Sequence, residues 1–283
     1  MNLIEMILNP LQYPFMVRGL TAAVLTGVVC AVIGVYVVLR GMAFFGSALA
    51  HSILPGVAVG YLATGGAKGP LFWWGTVTAV LVSLGIGAVS KGARIKEDTA
   101  IGIIFAGMFA LGIAIISTVR SYTVDLTHFL FGDVLGVSGN QLLLIGVFTA
   151  LILLLVIAFY KEFLVLTFDP VLAATLRIPS RLYEYLQLVL IALSIAVSFQ
   201  TVGVALMMAM LVTPAASAQM LTKRLPMMMI LAAVLASISG VVGLYLSYYV
   251  NVASGPSIVL TATLLFIISW IYRNFRLRRN SGG

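Results

Sequence analysis

Ser47 and His51 stand four residues apart in the run GSALAHSILPG, residues 46–56. If residues 46–53 are helical, a hydroxyl and an imidazole share one helix face. Imidazole is a ligand for zinc and other borderline metals. An ionisable group inside an apolar run is a functional-site hypothesis by default. The other reading is a neutral His51 that hydrogen-bonds a neighbouring helix. On the residues alone both stand. Pro55 and Gly56 follow at once. Proline has no backbone N–H and strains the preceding turn, and glycine tolerates unusual torsions. They are candidate structural breakers, as is Pro214 in LVTPAAS.

Two further polar clusters interrupt the apolar pattern. VRSYTVDLTHFLFGDVLGVSG (119–139) carries Asp125, His128 and Asp133. These could guide a cation into a pore mouth, or could be the ordinary polarity of a solvated loop. KEFLVLTFDPVLAATLRIPSRLYEY (161–185) reads as a short helix over 171–177, with Asp169 as N-cap and Pro170 at the first helical position. A short helix between two spans is what a permease needs to dock on a motor subunit. It is also what any capped loop looks like. Met207, Met208 and Met210 raise copper binding. Consecutive methionines point to different helix faces, and Met is a common core filler. The chain shows no GxxxxGK[ST] loop, no HExxH and no Ser/His/Asp set, so it carries no motif for ATP hydrolysis or other catalysis.

The elements that must hold these residues follow from composition. Of 283 residues 62% are hydrophobic and 8% charged, against about 25% charged in soluble domains. Such a chain cannot cover a water-facing surface. It is an all-α, polytopic integral membrane protein with a single transmembrane domain over 1–283. Apolar spans are expected near 18–39, 43–64, 71–90, 99–118, 141–160, 186–200, 203–222, 227–250 and 256–272. Residues 186–222 are too long for one crossing. A turn near 200–203 makes nine spans, and one kinked helix there makes eight. The small-residue pairs Gly56/Gly60 and Gly107/Gly112 are expected to bring helices close.

The net charge of +8 does not point to nucleic acid, because no basic stripe is interleaved with exposed aromatics. The cations lie between spans. With residues 1–17 outside, 13 of 16 basic residues fall inside, including the tail at 273–283; only Arg18, Lys68 and Arg120 fall outside. The positive-inside rule therefore puts the N-terminus out and the C-terminus in. Residues 1–16 lack the basic n-region of a cleaved signal peptide. Cys30 lies in an apolar run and reads as a packing residue.

Several motifs in order carry a family resemblance: VVLRGMAFFGSALAHSILPGVAVGY (37–61), KEDTAIGIIFAGMFALG (96–112), YTVDLTHFLFGDVLGVS (122–138), FDPVLAATL (168–176) and QTVGVALMMAMLVTPAASA (200–218). Over nearly its whole length the chain resembles the permease subunits of bacterial ABC importers for manganese, zinc and iron. Its plan is similar to that of vitamin B12-type importers. The resemblance implies a bacterial cell membrane location and a homodimer with the pathway between protomers. It also implies a cytoplasmic ATPase subunit, a solute-binding protein outside, and a transported divalent metal with no permanent cofactor. Ser47 and His51 would line the pathway. Glu97, Asp98 and Thr99 would lie near the inner gate, and Asp125, His128 and Asp133 near the outer gate. Asp169, Pro170, Ala173, Arg177 and Arg181 would form the segment coupled to the ATPase.

Two departures accompany it. The family commonly has aspartate at the position of Ser47 and glycine at that of Arg177. With aspartate, a two-fold axis would gather two carboxylates and two imidazoles around a +2 ion. Here it gathers two hydroxyls and two imidazoles, which leaves the charge uncompensated. That implies a weaker transient site, or a cargo that is softer or already chelated. The rivals are an importer of a metal chelate or organic cofactor on the same scaffold, and a self-sufficient secondary carrier or channel. The latter usually holds more ionisable groups within its spans.

Overall fold

The computed structural model describes residues 8–65, 68–118, 134–176 and 179–281. Every regular element among them is helical: α1 (Pro14–Leu39), α2 (Phe45–Ser52), α3 (Leu54–Thr64), α4 (Lys68–Gly92), α5 (Glu97–Ser117), α6 (Gly139–Ala158), α7 (Tyr160–Phe168), α8 (Pro170–Thr175), α9 (Ser180–Leu221), α10 (Leu225–Val250) and α11 (Ser254–Ser281). Among the described residues nine helical stretches are long and apolar enough to cross a bilayer.

The count of nine turns on α9. Gly203 inside it has φ 75° and ψ 170°, a region open essentially to glycine alone. The ladder breaks there, and Ser180–Phe199 and Val202–Leu221 are separate spans. Pro214 lies buried within the second of these, where the chain stays helical. The first begins earlier than its apolar stretch, at Ser180, and takes Arg181 and Glu184 into its opening turns. Charged residues at a span's end can keep their heads at the interface.

The chain divides into two units, 39–126 with 151–200, and 1–38 with 127–150 and 201–283. In the second, α1 is the most buried of the described spans. Its best 18-residue window is 72% buried, against 17% for α5 of the other unit. Cys30 is fully buried within it. Small residues set the packing. A methyl added at Gly27 would lie 3.4 Å from Ala236 Cβ, and one at Gly240 3.4 Å from Ala23 Cβ. One added at Gly34 would run into the carbonyl of Leu211. Met207 and Met210 are buried in this unit, while Met208 is only half-buried.

In the unit of 39–126 and 151–200, α2 and α3 pack on both α4 and α5. Gly56 meets Thr78, and Gly60 meets Trp74, whose Cγ would be 2.7 Å from an added methyl. Gly112 sits 2.9 Å, on the same measure, from Leu54 Cβ, whereas a methyl at Gly107 meets nothing within 4 Å among the described residues. Of the two glycine pairs expected to mediate packing, three members do so. Ser83 Oγ donates a buried 2.8 Å hydrogen bond to the Leu188 carbonyl and ties α4 to α9. Many other hydroxyls bond the carbonyl four residues back, as Ser52 does to Ala48 at 2.7 Å. This satisfies them where water is absent.

Candidate functional site

α2 is eight residues long, and all of it is buried except Ser47 and His51. The two lie on one face, as i,i+4 spacing requires. Ile53, between α2 and α3, keeps helical torsions (φ −72°, ψ −20°). Its N–H still reaches the Leu49 carbonyl at 3.1 Å. Pro55 occupies the second position of α3, where the missing N–H costs little. Phe45–Thr64 therefore crosses as one interrupted helix.

The open face of α2 meets aromatic rings from α5. The imidazole centroid of His51 lies 5.7 Å from the ring of Phe109, edge to face, and 6.1 Å from Phe105. Phe105 stacks on Phe109 at 5.8 Å and takes Phe44 edge-on at 5.9 Å. Phe105 and Phe109 are themselves half-buried. Among the described residues neither Ser47 nor His51 makes a side-chain hydrogen bond or ion pair. The hydrogen-bonded structural histidine, one of the two sequence readings, thus lacks its partner among them. No group of three or more His, Cys, Asp or Glu side chains able to hold a metal occurs among the described residues.

A polar cluster closes one end of the same unit. Arg40, following α1, donates from Nη1 to Gln187 Oε1 at 2.8 Å and pairs through Nη2 with Glu97. Lys91, ending α4, pairs with Glu184 of α9. Glu97 and Asp98 occupy the first turn of α5, where carboxylates complement the helix dipole. Asp98 and Thr99 are exposed.

The sequence model of the ABC 3 transport family matches residues 12–273. The chain belongs to the ABC 3 transport family. Its members are permeases of ABC transporters, and this one is a multi-pass membrane protein. A manganese transport system membrane protein of Halalkalibacterium halodurans is 46% identical over 93% of this chain and 88% of its own length. A probable iron transport system membrane protein of Haemophilus influenzae is 37% identical over 97% of this chain and 99% of its own. The solved structure of PsaBC from Streptococcus pneumoniae in complex with Fab matches with a TM-score of 0.80 at 37% identity, over 95% of each chain.

Asp169 Oδ1 accepts the Leu172 N–H at 2.9 Å, so it caps α8 as its sequence implies. Pro170 opens that helix, which is shorter than expected and ends at Thr175. Ala173 is fully buried, and Arg181 is exposed in the first turn of α9. Asp125, His128, Asp133 and Arg177 lie outside the described residues. Sequence reasoning missed Phe105, Phe109 and Gln187. Phe105 and Phe109 are spaced i,i+4 in IIFAGMFAL, and Gln187 is an amide in an apolar run; both signals were legible.

Proposed function

We propose that this permease passes a divalent metal ion, in the class of manganese, zinc or iron, from a solute-binding protein outside to the cytoplasm, across the interface of two copies. A separate cytoplasmic ATPase subunit drives it. The observation that carries the reading is the Ser47–His51 face: a hydroxyl and an imidazole without a hydrogen bond among the described residues, left open on an otherwise buried helix. It adjoins α5, the least buried of the spans. A second copy across a two-fold axis doubles the donors. The cation sheds water against imidazole nitrogen and hydroxyl oxygen while the Phe105 and Phe109 rings exclude solvent. Two hydroxyls and two imidazoles hold it weakly, which suits a carrier that must release what it binds. Ser47 also favours a second reading, a softer or already chelated cargo, since neutral donors leave the +2 charge uncompensated.

The manganese and iron names of the relatives support the cargo class. The residues 1–17 lie outside and the basic tail inside in this reading, as the charge distribution requires. The inner gate is Glu97, Asp98 and Thr99, and the outer gate Asp125, His128 and Asp133. Coupling runs through Asp169, Pro170, Ala173, Arg177 and Arg181. Phe168, Leu172 and Leu176 are exposed apolar side chains available to the ATPase there. Pro55, Gly56 and Pro214 shape the pathway helices.

The test is His51→Ala in the assembled importer. Metal-dependent uptake falls at least tenfold while the dimer still assembles with its ATPase. Uptake at the unmodified rate would retire His51 as a pathway ligand.

A further inference from the structure

In the unit that contains α1, α10 and α11, a basic cavity lies where two spans end. Thr222, Lys223 and Arg224, between α9 and α10, face Tyr272, Arg273 and Arg276 of α11 across an open volume of about 630 Å³. Four of these six are cations, and no carboxylate is among the described lining residues. None of the four forms an ion pair among the described residues. Like charges around one cavity repel, and an anion between them removes that cost. α10 starts at Leu225, directly after Arg224, whose side chain makes no cap hydrogen bond. The partial positive charge of that helix start adds to the same end.

Depth decides what kind of anion fits. Val202–Leu221 and Ser254–Arg276 are both candidate spans, and the cavity sits at their ends. That is the level of lipid headgroups. From it, along α11, Ile271, Ile268, Ile267, Leu264 and Leu260 are exposed apolar side chains. Tyr272, 58% exposed, stands at the boundary, where amphipathic rings gather in membrane proteins. A cationic cavity continuous with an apolar strip matches a molecule with a phosphate at one end and acyl chains at the other. A soluble protein surface has no use for the strip.

We infer that this cavity binds a phosphate anion, supplied in the membrane by the headgroup of an anionic phospholipid. Basic pockets between span ends recognise such headgroups. The inference needs only that the chain spans a membrane; it is independent of the cargo.

Native mass spectrometry of the purified full-length chain tests it, with added phosphatidylglycerol, cardiolipin or phosphatidylcholine of matched acyl chains. Phosphatidylglycerol and cardiolipin are retained, phosphatidylcholine is not, and Arg273→Gln/Arg276→Gln lowers retention of the anionic lipids roughly tenfold or more. Arg273→Lys/Arg276→Lys keeps the charge and the lipid. If millimolar inorganic phosphate displaces the lipid from the unmodified chain, the same site takes the free anion and its source is reassigned. Should the glutamine variant prove unstable, salt decides: retention by the unmodified chain falls as ionic strength rises. Equal retention by the unmodified chain and the glutamine variant, or indifference to salt, would overturn the proposal. So would a variant that keeps its lipid and loses only the ATPase subunit, since the cations would then serve a protein contact.

Discussion

Arg40 and Gln187 are joined by a 2.8 Å hydrogen bond across 147 residues of sequence. Through the other arm of its guanidinium, Arg40 holds Glu97. One side chain thus ties the start of α5 to the start of α9. Gln187 is 1% exposed and Arg40's side chain 15%. Water therefore cannot readily replace what Arg40 supplies.

Arg40→Met should cost about 1–3 kcal/mol, the range for stranding buried polar partners. Arg40→Lys should recover only part of this, because an ammonium lacks the planar fork that serves two acceptors at once. Thermal unfolding of the detergent-solubilised chain reads both. Coincident melting curves for Arg40→Met and the unmodified protein would show that the cluster contributes nothing to stability.

Gly34 and Gly107 make a matched pair for the close-packing argument. Gly34→Ala drives a methyl into the Leu211 carbonyl, which is backbone and cannot swing aside. A loss of about 1–3 kcal/mol, typical of overpacking, is expected. Gly107→Ala meets nothing within 4 Å among the described residues and should leave the melting temperature of the isolated chain unchanged or slightly higher. The reverse order of the two variants would refute the packing assignment.

Ser47→Asp places a carboxylate one turn before His51. Carboxylate oxygen suits manganese better than imidazole alone does. In the assembled importer this variant should hold metal more tightly and should shift competition between manganese and zinc towards manganese, by severalfold. Uptake assays with mixed metals measure the shift. No change in preference would mean that position 47 does not face the cargo.

Asp169→Ala removes the cap from α8 and should weaken that short helix by about 0.5–2 kcal/mol, whereas Asp169→Asn, an equally good cap, should not. The expected consequence is uptake lost out of proportion to ATP hydrolysis in the alanine variant and preserved in the asparagine variant. Equal transport in the two would separate the cap from coupling.

Much of this was legible from residues close together in the chain. The spacing of Ser47 and His51 gave their shared face, because i,i+4 neighbours meet on any helix. The Asp169-Pro170 pair announced the cap that Leu172 confirms. A break near residue 203 was one of two readings of an overlong apolar run, and Gly203 makes it with a torsion few other residues can adopt. Gly107 shows the limit. It resembles Gly112 in type and context, yet only Gly112 meets a neighbouring helix within its unit.

By itself, the sequence determined the class of solvent, the order of motifs and the local geometry of turns and caps, while the choice between eight and nine spans waited on the Gly203 torsion. Composition and one-dimensional spacing suffice for these. The tertiary structure alone decided that Phe105 and Phe109 flank His51, that Arg40 reaches Gln187, and that Gly34 meets Leu211. Each of these depends on how a helix is rotated about its own axis. A water-soluble helix declares that rotation through a polar face. These spans are apolar nearly all round, and their association rests on close fit rather than on burying an apolar stripe. The inward face is therefore encoded in shape complementarity between distant segments, which no local pattern reveals.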